Sequence, residues 1–182
     1  KLGKVAPYGV YDVTQNVGWV SVGISSDTAE FAVESVRNWW REMGKESYEH
    51  SKEVMITADC GGSNGNRVRL WKYELQKLAN ELGKTITVCH LPPGTSKWNK
   101  IEHRMFCKIT QNWRARPLTD LKTIVELIGN SKTSNGLKIK TKIDHKTYAK
   151  GRKVTKQEFA SINLSPMEFH GEWNYTISPS SP

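Results

Sequence analysis

The stretch Ile56–Arg67, "ITADCGGSNGNR", decides how this chain is read. An apolar run leads into a single acid, Asp59; a glycine-rich turn follows, and a helix-like pattern begins after it. Three chemistries compete for this stretch. Gly61-Gly62-Ser63-Asn64-Gly65 fits the G-x-S-x-G elbow, in which a sharp strand-to-helix turn presents a nucleophilic serine. The glycines also suit a cradle of backbone amides around a phosphate. Asp59, at the carboxyl end of a strand, suits a hard metal ion.

Immediately upstream, Val54–Ala58 is a continuous apolar run, the pattern of a strand buried on both faces. Downstream, a helix from about Asn66 to Leu82 places Val68, Trp71, Leu75, Leu78, Ala79 and Leu82 on one stripe, and Gly83 closes it. "TITVCHL", Thr85–Leu91, is a second buried-type strand, so strand, helix and strand make a parallel crossover unit.

Further out, Tyr8–Ile24 reads as an antiparallel hairpin around Thr14-Gln15-Asn16, with Asp12 on its first arm. Asp27 and Glu30 form a capping pair ahead of a helix carrying Ala29, Val33, Val36, Trp40 and Met43, with Gly44 as its stop. After Pro92-Pro93-Gly94, Asn99 and Glu102 cap a third helix that turns Ile101, Met105, Ile109 and Trp113 inward. A fourth amphipathic helix, roughly Leu118 to Ile128, precedes a basic stretch from Lys132 to Lys156. The Ser/Pro end, 178–182, reads as a disordered tail.

Lys and Arg number 27 against 18 Asp and Glu, a formal charge of +9, with a pI near 9.5. That excess suits a polyanionic partner, with nucleic acid first among them. Cys60, Cys89 and Cys107 are odd in number and lack C-x-x-C spacing, which points to a reducing, cytoplasmic compartment rather than a zinc site. No run approaches the roughly 18 apolar residues of a membrane span.

The serine elbow needs an acid and then a histidine later in the chain; Asp144 or Asp120 and His145 or His170 are available, but no HGGG-type oxyanion segment is present. The phosphate cradle lacks both G-x-G-x-x-G and the P-loop pattern. The metal reading uses more of the chain, since Glu102 enters from a helix just after the strand beside that of Asp59. Carboxylates suit Mg²⁺ or Mn²⁺, and two such ions favour phosphoryl transfer on DNA. Helix capping by both acids is the plainer account of the same residues.

Four segments resemble the Rhodopirellula-type DDE transposases of bacterial insertion sequences: Ile56–Gly83, "TVCHLPPGTSKWNKIEHRMF" at Thr87–Phe106, "TQNWRARPL" at Thr110–Leu118 and "EFHGEWNYTI" at Glu168–Ile177. The second segment is also similar, more distantly, to mariner-like transposases. The resemblance implies an α/β, RNase H-like mixed sheet with flanking helices. It makes Asp59 the second and Glu102 the third acid of a DDE triad holding Mg²⁺ or Mn²⁺, with insertion-sequence ends and target DNA as partners, and it leaves Ser63 no nucleophilic role.

The family carries its first acid on a strand upstream of the hairpin. The expectation is therefore that this acid and the first central strand are missing, that the chain is inactive as presented, and that open sheet edges favour a homo-oligomer. The non-enzymatic alternative is a DNA-binding remnant. Expected DNA contacts are Lys97, Trp98 and Lys100, Arg114 and Arg116, Lys138 and Lys140, and Lys150, Arg152 and Lys153. The expected division is a partial catalytic core over 1–130, a basic extension over 131–177 and the tail.

Overall fold

The computed structural model describes residues 5–113, 120–129, 131 and 136–180. In chain order it contains β1 (Ala6–Asp12), β2 (Val17–Gly23), α1 (Ala29–Trp39) running into a π-helical turn (Trp40–Gly44) and α2 (Lys45–Tyr48), then β3 (Glu53–Asp59), α3 (Arg69–Leu82) and β4 (Thr85–Leu91). A 3₁₀ turn (Ser96–Trp98), a second π-helical turn (Glu102–Phe106), α4 (Cys107–Trp113), α5 (Leu121–Gly129), β5 (Lys138–Asp144), α6 (Lys156–Ala160), β6 (Leu164–Pro166) and β7 (Asn174–Ile177) complete it. The fold is α/β, with two mixed sheets flanked by helices. Two compact units carry them: Lys1–Asp27 with Lys97–Tyr148, and Thr28–Ser96 with Ala149–Pro182. Among the described residues no helix is long and apolar enough to cross a membrane.

The first unit holds the sheet β1-β2-β5. Its hairpin pairs antiparallel from Ala6↔Gly23 to Asp12↔Val17. Asp12 closes the turn: its Oδ1 accepts from the Thr14 and Gln15 amides at 2.9 and 3.0 Å, while Asn16 takes a left-handed φ of 52°. β5 then adds to β2 in parallel. Within the basic stretch, Lys138–Asp144 is a strand, not a helix: Ile139 is buried in the core while Lys138, Lys140 and Lys142 are exposed. Val20, Val22, Met105, Ile109, Ile124, Ile128, Leu137 and Ile139 form that core. Asp120 starts α5 by accepting from the Thr123 amide at 2.8 Å.

The second unit holds the sheet β3-β4-β7-β6. β3 and β4 run parallel, and β7 lies antiparallel to β4. One face carries Ile86, Val88, Tyr175 and Ile177, all fully buried, and α3 packs against β4 and β7 with Trp71, Leu75 and Leu78. β3 departs from the sequence expectation. It is one of the two outer strands of this sheet, and Glu53, Met55 and Thr57 on its other face are exposed, Met55 at 66%. An apolar run alone does not distinguish a central strand from an outer one.

Several helix boundaries also move. Thr28, not Asp27, is the N-cap of α1, with its hydroxyl accepting from the Phe31 amide. α3 starts at Arg69 because residues 60–68 are spent on turns, and Gly83 ends it at φ +62° as a left-handed cap. Lys84, 8% exposed, donates to the carbonyls of Glu49 and Ser51. Ser178–Ser180, expected to belong to a loose tail, are tied down: Gln76 Nε2 donates to the Ser178 carbonyl at 2.9 Å and the Ser180 amide donates to Asn80 Oδ1 at 2.8 Å.

Candidate active site

In the second unit, Asp59 is the last residue of β3, and the parallel register sets it opposite Leu91. The chain then turns away through Cys60–Val68. Gly62 sits at φ +77°, and a Cβ on Gly65 would stand 2.7 Å from the Cys60 carbonyl oxygen. These two glycines serve the backbone: one supplies a left-handed residue and the other a close approach. Ser63, between them, makes no hydrogen bond with a histidine among the described residues.

The backbone of Asp59 is held from β4. His90 Nδ1 lies 3.0 Å from the Asp59 carbonyl oxygen, and His90 Nε2 lies 2.9 Å from the Tyr175 hydroxyl. Burial holds the His90 imidazole below its usual pKa; the Asp59 carbonyl opposes this and the charge of Lys72 adds to it. Burial pushes the Tyr175 hydroxyl far up, so it stays protonated. Burial, followed by the charge of Asp59, also raises the Cys60 thiol against the opposing charge of Arg67.

In the first unit, Glu102 opens the π-helical turn and its side chain is exposed. The turn accommodates one extra residue per hydrogen-bonded ring, a feature concentrated at functional sites. The Glu102 amide donates to the Asn99 carbonyl at 3.1 Å, and the Cys107 amide returns to the Glu102 carbonyl. Beside it, His103 Nε2 meets the Lys97 carbonyl. Trp98 is 66% exposed, and Lys97 and Lys100 flank it on the surface.

The donor chemistry fits a hard divalent cation. Each taken within its own unit, Asp59 and Glu102 offer hard carboxylate oxygens, while both nitrogens of His90 are occupied and burial keeps Cys60 toward the thiol rather than a soft thiolate. Among the described residues no group of three or more His, Cys, Asp or Glu is arranged to hold a metal. Asp12, the acid on the hairpin, is engaged with its own turn.

The basic residues fall into distinct settings. Lys138 and Lys140 share one face of β5 with Lys142, a third member that the K-x-K-x-K alternation could have revealed. Lys150 and Lys153 are exposed. Arg152, at the surface, is paired with carboxylates, Glu74 at 3.3 Å, Glu158 at 3.4 Å and Glu30 at 3.8 Å, and it lies over the Tyr73 ring. Arg114 and Arg116 lie outside the described residues.

A family model described as the Rhodopirellula transposase DDE domain matches residues 1–179, and the chain belongs to this family of DDE transposase domains. No curated protein and no solved structure matches the chain.

Proposed function

We propose that this chain supplies the catalytic-domain portion of an insertion-sequence transposase, acting on DNA by metal-dependent strand cleavage and transfer in the cytoplasm. Family membership over residues 1–179 is the observation that carries the reading. Asp59 and Glu102 are the proposed catalytic carboxylates and would hold Mg²⁺ or Mn²⁺. When bound, the ion would offset the charge that develops on a phosphodiester under attack by water or a DNA 3′ hydroxyl. Trp98 with Lys97 and Lys100, together with the lysines of β5, are the proposed DNA contacts of the first unit, and Lys150 and Lys153 are those of the second. Arg114 and Arg116 stay in the proposal from their place in the matched sequence. Arg152, with three carboxylates around it, offsets charge within the fold before it can reach a phosphate.

The test is a titration of Mn²⁺ into the protein with a labelled DNA duplex, alongside Asp59→Ala and Glu102→Ala. Metal-dependent nicking lost in both variants supports the reading. DNA binding without nicking in the parent protein replaces it with the non-catalytic, DNA-binding alternative.

We also propose self-association through open sheet edges. β1 and β3 each have one edge unpaired by any strand among the described residues, and unpaired strand edges recruit other strands. A light-scattering mass of one chain at all concentrations would refute this.

A further inference from the structure

The strongest unassigned feature is a buried hydrogen-bond chain inside the second unit. Trp71 and Tyr175 are fully buried and His90 is 4% exposed, yet each polar atom has a partner. Trp71 Nε1 lies 3.1 Å from the Tyr175 hydroxyl, which lies 2.9 Å from His90 Nε2; His90 Nδ1 lies 3.0 Å from the Asp59 carbonyl.

The direction of this chain follows from donor chemistry alone. An indole nitrogen only donates, so the Tyr175 oxygen accepts from Trp71 and its own proton turns to His90 Nε2. Nε2 is then an acceptor. A neutral imidazole carries one proton, so it sits on Nδ1 and is donated to the Asp59 carbonyl, which only accepts. Every group is satisfied in this one arrangement, and reversing any bond orphans a buried atom.

We propose that His90 is a positioning residue: locked as the Nδ1–H tautomer by Tyr175 and Trp71, it pins the carbonyl of Asp59 and so fixes the end of β3 from which the Asp59 carboxylate projects. β3 needs such a fixture. It is an outer strand of its sheet, Asp59 is its last residue, and a turn with a left-handed glycine follows. β4 pairs it on one side only, so the side-chain bond from His90 anchors the point where the ladder ends. The role rests on Asp59 being a metal ligand.

The experiment combines ¹⁵N spectroscopy of the His90 ring with Mn²⁺ affinity, measured without DNA, for the parent protein, His90→Ala, His90→Asn and Asp59→Asn. Asparagine keeps a donor where Nδ1 stands but cannot reach Tyr175. The expected results are a protonated Nδ1 with a bare Nε2 and about tenfold weaker Mn²⁺ binding in His90→Ala, the size of one lost hydrogen bond. His90→Asn should recover most of that loss although it melts as early as His90→Ala, a separation that a purely structural role does not produce. A protonated Nε2 at neutral pH overturns the proposal even if neither His90 variant folds. Equal loss in both folded His90 variants, with Asp59→Asn also weak, overturns positioning and leaves the ligand assignment standing. Parent-level Mn²⁺ affinity in Asp59→Asn removes the ligand assignment, and the positioning role goes with it.

Discussion

Met105 lies directly against Gly9: a Cβ on Gly9 would stand 2.5 Å from Met105 Cε and 2.6 Å from Phe106 Cζ. The hairpin thus has a hollow into which the π-helical turn is seated, and Glu102 opens that same turn. Gly9→Val should cost about 1–3 kcal/mol, the usual penalty for overpacking a filled core. Chemical denaturation measures it, and parent-level stability would show that the turn is not seated on the strand.

The same hairpin gives Asp12 a plain structural task, holding the Thr14 and Gln15 amides. Asp12→Ala should lower stability by about 0.5–1 kcal/mol, as for exposed turn bonds, while Mn²⁺ affinity stays at the parent level. A loss of metal binding in that variant would instead place Asp12 among the ligands.

Arg37 of α1 and Arg41 of the π-helical turn after it both hold Glu81, at 2.6 and 2.9 Å, and tie this helical segment to α3. Partial burial raises the Glu81 carboxyl, but the hydrogen bonds and charges of Arg37 and then Arg41 outweigh it and leave its pKa below the ordinary value. A carboxyl depressed in the folded state binds fewer protons there than in the unfolded chain. Its contribution is therefore complete above the ordinary glutamate range and is lost as pH falls through the folded value. Glu81→Gln should flatten the acid side of a stability-against-pH curve and leave the neutral side parallel to that of the parent protein. Because Glu81 is partly exposed, the effect is that of a screened pair.

Much of this architecture was legible from local patterns. Alternation gave the β1–β2 hairpin, apolar runs gave β3 and β4, and 3.6-residue stripes gave α1 and α3. What escaped was set by pairing across long separations. β7 has only four residues, and Tyr175 and Ile177 become core positions because β7 lies beside β4. β5 reads as a solvated basic stretch until β2 buries Ile139. The position of β3 at the outside of its sheet is likewise a property of topology, invisible in its own residues. At the site, motif resemblance singled out Asp59 and Glu102. The partners of His90 did not stand out, because Trp71 and Tyr175 meet it only after β4, α3 and β7 are assembled. One signal was present: His90 continues the buried row of Ile86 and Val88, so an imidazole on an apolar face needed buried partners.

The lysines of β5 supply the last test. Lys138, Lys140 and Lys142 recur every second residue on one exposed face, which spaces their charges along a strand rising about 3.3 Å per residue. Such a row suits successive phosphates and reads no bases. Replacing all three with Gln should weaken binding to unrelated duplexes by similar factors, and should reduce the slope of log affinity against log salt by up to about 0.9 for each phosphate that a lysine no longer neutralises. β5 itself should persist, because Ile139 and the ladder to β2 are untouched. If the salt slope stays at the parent value while the protein remains folded, the β5 lysines serve to block edge pairing of an outer strand rather than to hold DNA.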